Sequence, residues 1–145
     1  MPEFDISDLK EGDVVNISTF PRIIDDVLLR RINNGEEKVE PIFLEDKVLH
    51  QVLGACGCVE LDPYRWRLYL DKNDNEYTFW DWTIVKSFEK DKPCHDTVIR
   101  RCCYLHELQH AFQTLELVTD IKNGINQFLL LNAQREYYIK LNKNN

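Results

Sequence analysis

"YLHELQHAFQTLE", residues 104–116, is the stretch on which the architecture turns. Its apolar residues Leu105, Leu108, Phe112 and Leu115 recur at intervals of three and four, and Val98 and Cys102 continue the series upstream. That period places all six on one side of an α-helix, so it predicts an amphipathic core helix from Thr97 to about Leu117 with Asp96 as its N-cap. The same stretch contains His106-Glu107-Leu108-Gln109-His110, which fits the H-E-x-x-H pattern of zinc peptidases.

Histidines at i and i+4 share a helical face and can reach one metal, and the glutamate beside the first polarises the bound water as general base. Those roles would fall to His106, His110 and Glu107. A third ligand is required, and two residues offer one. Glu116 lies six residues beyond His110, the metzincin spacing, but Gln113 stands where that pattern has its turning glycine. A helix continuing through Gln113 turns Glu116 about 120° away from His110 around the axis. Glu136 is the other candidate, as a glutamate from a following helix. Against catalysis stands a plainer reading: both histidines flank the apolar stripe, where boundary histidines serve in ordinary hydrogen bonds.

Working outward, "RWRLYLD" (65–71) alternates Trp66, Leu68 and Leu70 against Arg65, Arg67 and Tyr69, and "EYTFWDWTIV" (76–85) answers it after the turn "KNDN". Period-two alternation around a turn predicts an aromatic hairpin. Tyr64, Trp66, Trp80 and Trp82 make it the best candidate binding surface, since exposed aromatics are costly without a partner. Upstream, Gly12-Asp13 followed by Val14, Val15 and Ile17 reads as a turn into a strand, and "NNGEEK" (33–38) as a turn. "RIIDDVLLRRI" (22–32) suits a helix or a strand pair. Val39 to Leu44 is extended around Pro41, and "LEDKVLHQVLG" (44–54) is a short helix. After "TDIKNG", "INQFLLLNAQREYYIKL" (125–141) suits a final helix, with "YYIKL" equally able to extend.

A formal charge of −7 repels phosphates, so nucleic-acid binding is disfavoured. No apolar run reaches the roughly 20 residues that span a bilayer, and the acidic N-terminus is unlike a secretory signal, so a cytoplasmic protein is expected. The five cysteines, Cys56, Cys58, Cys94, Cys102 and Cys103, are odd in number and awkwardly spaced for disulfides, which argues for reduced thiols. A thiolate–imidazole site drawing on them with His95 and His106 lacks the usual knuckle spacing.

Three stretches together carry a resemblance: "DLKEGDVV" (8–15), "VEPIFLEDKVLHQVLGACG" (39–57) and "YLHELQHAFQTLEL" (104–117), with the hairpin between the last two. In this order the chain, over residues 8 to 118, resembles the short uncharacterised proteins of Bacteroidetes phages and integrated mobile elements. The resemblance implies asparagine as the usual residue at the position of His110 and glutamine as a frequent one at Glu107. Neither supports a zinc hydrolase, so the resemblance implies that the fold does not need a metal here.

The expectation is therefore a single α+β domain, an antiparallel sheet with an aromatic hairpin packed on a long helix. Residues 1–118 form its core and 119–145 a C-terminal helical extension. The expected function is that of a non-catalytic cytoplasmic accessory protein of a phage or mobile element. It would bind a protein partner, with inhibition of a host defence as one such role, and no cofactor is expected. The alternative is a zinc-dependent hydrolase.

Overall fold

The structure is a computed structural model that describes residues 4–53, 59–60, 66–72, 80–86, 97–114 and 118–143. Side chains are described for 4–45, 47–53, 102–114 and 121–143. A single 3-10 turn, Ile6–Asp8, leads to Gly12, whose φ of +91° makes the bend that the Gly-Asp pair predicts. Strand β1 (Val14–Ile17) then runs antiparallel to β2 (Phe20–Ile23), with Val14 opposite Ile23 and Ile17 opposite Phe20. Ser18 and Thr19 join them at φ +54° and +71°, the two left-handed positions of a type I′ hairpin.

The ambiguous "RIIDDVLLRRI" divides between the two structures it suited. Arg22 and Ile23 end β2, and helix α1 (Asp26–Asn33) follows. Asp25 caps α1 by accepting from Leu28 N, and the far end closes in a Schellman motif. There Glu36 N donates to Arg31 O and Gly35 N to Ile32 O, with Gly35 at φ +75°. Strand β3 (Val39–Glu40) pairs with the other side of β1, giving the order β2-β1-β3. Helix α2 (Asp46–Leu53) occupies the place expected for it.

The aromatic hairpin is present as β5 (Trp66–Lys72) and β6 (Trp80–Lys86), flanked by β4 (Val59–Glu60) and by β7 (Thr97–Cys102) in the antiparallel order β4-β5-β6-β7. Strand β7 corrects the first expectation. The helix predicted from Thr97 begins only at Leu105, as α3 (Leu105–Thr114). Thr97, Val98 and Ile99 are β-branched, and the edge of β6 gives them a ladder to join, with Val98 opposite Val85 and Cys102 opposite Trp82. Spacing of Val98 and Cys102 with the later stripe was coincidental. Asp96, the expected cap, lies outside the described residues, as do the turn residues 73–75.

Past β7 the chain fastens the two sheets together. Leu44 N donates to Cys103 O, Leu105 N donates to Ile42 O, and Phe43 bridges to Tyr104. The last helix, α4 (Val118–Lys143), is longer than expected and runs straight through Asn123-Gly124. Gly124 is not a helix stop but a contact: a Cβ there would sit 1.6 Å from Val52 O, so its absence lets α4 lie against the end of α2. "YYIKL" is helical.

Two apolar clusters share β1 between them. Val14 joins the larger, with Leu44, Leu49 and Val52, with Leu105, Leu108 and Phe112 of α3, and with Ile121, Ile125 and Phe128 of α4. Val15 faces the other way, onto Leu9, Ile24 and Ile32. Alternation along β1 produces this division, since successive side chains point to opposite faces. The first half of α4 is thus docked in the core. Cys102 and Cys103 are buried. The fold is α+β, with a C-terminal helix on the three-stranded sheet.

Candidate functional site

Each residue of His106-Glu107-Leu108-Gln109-His110 has a definite place. Glu107 stands at the third position of α3 and reaches back over its start. Its Oε1 accepts from Cys103 N and Tyr104 N, both at 3.0 Å. These are donors that a helix leaves without intrahelical partners, and a carboxylate there also meets the positive end of the helix dipole. Leu108 is fully buried in the main core.

Gln109 faces β1, whose backbone lies 95–97 residues away in sequence. Its Oε1 accepts from Val14 N and its Nε2 donates to Gly12 O, both at 2.9 Å. The primary amide thus acts as one more strand residue, supplying one acceptor and one donor to the end of the ladder. His110, one residue on, donates through Nε2 to both carboxylate oxygens of Asp13, at 2.9 and 2.7 Å. Asp13 is 1% exposed, and a carboxylate so buried needs its oxygens satisfied. Lys10 N supplies the remaining donor at 3.0 Å.

His106 lies in an aromatic cluster. Its ring stacks on Tyr104, with centroids 5.7 Å apart and planes 9° from parallel, while Phe4 meets it edge-on at 5.6 Å. Burial pushes the Tyr104 phenol above its ordinary pKa, with the charges of Cys103 and Glu107 adding to the effect. The rings of His106 and His110 are 5.7 Å apart at 75°.

The geometry bears on zinc chemistry residue by residue. Ligation through His110 Nε2 needs a bare lone pair, whereas that nitrogen donates to Asp13. Water activation by Glu107 needs its carboxylate to leave the start of the helix. Glu136, on α4, pairs with Arg22 of β2 at 2.7 Å and with Lys140 at 3.0 Å. Those two cations, Arg22 first, hold its carboxyl below the usual range. Glu116 lies outside the described residues. Among the described residues no group of three or more His, Cys, Asp or Glu is placed to hold a metal ion.

Of the hairpin candidates, Tyr64 lies outside the described residues. The other three stand at register positions that share a face: Trp66 opposite Lys86, Trp82 opposite Leu70, Trp80 opposite Lys72. Trp82 also stands opposite Cys102 of β7, which is buried. A separate groove of about 400 Å³ runs between β3, α2 and α4, with Ile42, Val48 and Phe128 on its apolar side and Glu40, Lys47 and Arg135 among its polar groups. Among the described residues its lining contains no histidine, cysteine or serine.

Sequence reasoning missed Asp13 and Gln109. The available signal was an acidic residue between a turn glycine and two valines, at a position where alternation leaves little access to water. No helix among the described residues is long and apolar enough to cross a membrane. No protein-family model, no curated protein and no solved structure matches the chain.

Proposed function

We propose that this protein is a non-catalytic binding protein that acts on a macromolecular partner. The observation that carries the reading is the employment of the whole H-E-x-x-H stretch in holding the fold. Glu107 starts α3, Gln109 and His110 clasp the Gly12–Val14 turn, and His106 fills an aromatic cluster. A zinc hydrolase would have to dismantle three of these contacts to assemble its site. The resemblance to proteins of Bacteroidetes phages and integrated mobile elements agrees with this, since asparagine at the position of His110 still donates to an aspartate but ligates zinc poorly. In that reading the protein is a cytoplasmic accessory factor of a mobile element. Its binding surface is the hairpin face marked by Trp66, Trp80 and Trp82, to which the sequence adds Tyr64 two residues before Trp66. The supporting observation is the register, which brings the three tryptophan positions together.

Two measurements test it. Untagged protein purified without added zinc is expected to contain far less than one zinc per chain, and His110→Asn to leave that figure unchanged. Stoichiometric zinc that disappears in His110→Asn would overturn the proposal in favour of the hydrolase. Affinity capture from a bacterial cytoplasmic extract is expected to retain a defined stoichiometric species, lost in the Trp66→Ala/Trp80→Ala variant. Equal retention by that variant, with its fold intact by circular dichroism, would remove the hairpin as the binding surface.

A further inference from the structure

Helix α4 has two apolar sides. Ile121, Ile125 and Phe128 of its first half face the core, and Glu136 continues that side by its bond to Arg22. On the opposite side Leu130, Tyr137, Tyr138 and Leu141, with Leu131 at its edge beside the groove, are 45% to 64% exposed. At 100° per residue these five fall within a sector of about 120°. Gln127 and Gln134 share that sector, and no Asp, Glu, Lys or Arg between residues 123 and 142 does. In a chain that is 30% charged, a sector four turns long without charge is unusual for a solvated helix face.

We propose that this face of α4 joins a second copy of the chain, the two helices antiparallel about a twofold axis. Three observations select that occupant. First, the stripe is self-complementary. With Leu130 opposite Leu141 of the second copy, Gln134 falls opposite Tyr137, and Ala133 opposite Tyr138. Leucine then meets leucine at both ends of the seam and each tyrosine meets Gln134 or Ala133 between them, where the recess lined by Ala133, Gln134, Tyr137 and Tyr138 lies.

Second, the charges agree. Residues 118–143 carry Lys122, Arg135, Lys140 and Lys143 against Asp120 and Glu136, a net of +2, so the rest of the −7 chain carries −9. An antiparallel crossing sets the basic end of each α4 toward the acidic body of the other copy, whereas a parallel one sets basic end beside basic end. Third, the area suffices. Five half-exposed side chains of this size leave on the order of 500 Å² per copy, and about 1,000 Å² per pair is the lower bound of a specific interface. The expected dimer is accordingly reversible, with a dissociation constant on the order of micromolar. None of this depends on the reading of the H-E-x-x-H stretch.

Sedimentation velocity on the untagged full chain, from about 1 to about 100 µM, tests the proposal across the expected dissociation constant. The unmodified protein is expected to pass from monomer to dimer over that range. The double substitution L130E/L141E sets acid against acid at both ends of the seam and is expected to weaken association at least about 100-fold. L130E/L141K sets each introduced acid against an introduced base, in the antiparallel register only, and is expected to stay within about tenfold of the unmodified protein. Both positions are about half exposed, so circular dichroism should show the fold intact in each variant. A monomer at every concentration would overturn the proposal, as would a dimer indifferent to L130E/L141E. If L130E/L141K dissociates as readily as L130E/L141E, the antiparallel pairing is wrong.

Discussion

Replacing Gln109 by leucine keeps most of the side-chain volume and removes both hydrogen bonds to β1. Val14 is fully buried, so its N–H, once Gln109 Oε1 is gone, has no water to turn to. A buried donor left without an acceptor costs about 1–3 kcal/mol. Gly12 is only partly buried, so its carbonyl recovers a water, and losing the bond from Gln109 Nε2 costs about 1 kcal/mol or less. In the other direction, leucine returns on the order of 1 kcal/mol from apolar burial at this 8% exposed position. The net expectation is a loss of about 2 kcal/mol, which for a chain of this size is a fall of roughly 4–8 °C in Tm. The assay is urea unfolding of Gln109→Leu beside the unmodified protein, reading the midpoint at constant m, with amide hydrogen exchange at Val14. Exchange at Val14 should accelerate by more than the global loss of stability, because the turn is released locally. A variant within about 0.5 kcal/mol of the parent, with Val14 equally protected, would refute the reasoning that Gln109 closes the ladder.

Four further outcomes are expected. Glu107→Ala should cost about 1–2 kcal/mol by urea unfolding, and Glu107→Gln under about 0.5, since glutamine still accepts at that helix position. Gly124→Ala, which would stabilise an exposed helix by about 1 kcal/mol, should here destabilise by about 1–3, because its Cβ meets the Val52 carbonyl; the sign of the thermal shift decides. The pair Ser18→Asn and Thr19→Gly should raise stability by about 1 kcal/mol by suiting both left-handed turn positions, as read from the Tm. Glu136 has its pKa lowered by Arg22 and Lys140, so its contribution is complete above the ordinary carboxylate pKa and lost as pH falls through the lowered value. The stability difference between parent and Glu136→Gln should then be about 0.5–1 kcal/mol at neutral pH, kept small by the exposure of both cations, and vanish in acid unfolding titrations.

Much of the local structure was legible because its causes are local. The turn "NNGEEK", Gly12 before two valines and the alternation around Trp66 and Trp80 each act within a few residues. The errors arose where a distant partner decides. Thr97–Cys102 carries both a helical spacing and β-branched residues, and only the edge of β6 selects the strand. "TDIKNG" reads as a segment ahead of the last helix until α2 is seen lying against Gly124.

The sequence by itself determined that α3 is a core helix, that the chain is α+β, and that two histidines and a glutamate fall at i, i+1 and i+4. Periodicity and chain geometry suffice for all of these. What the histidines and glutamate do was decided by the tertiary structure alone. Gln109 and His110 find their partners across 95 to 97 residues of chain, at a turn that α3 and β1 bring together by burying their apolar sides in one core. A motif names the atoms available for chemistry, but a nitrogen already donating to a buried carboxylate, or an oxygen already holding a helix start, is committed by contacts that no spacing along the chain encodes.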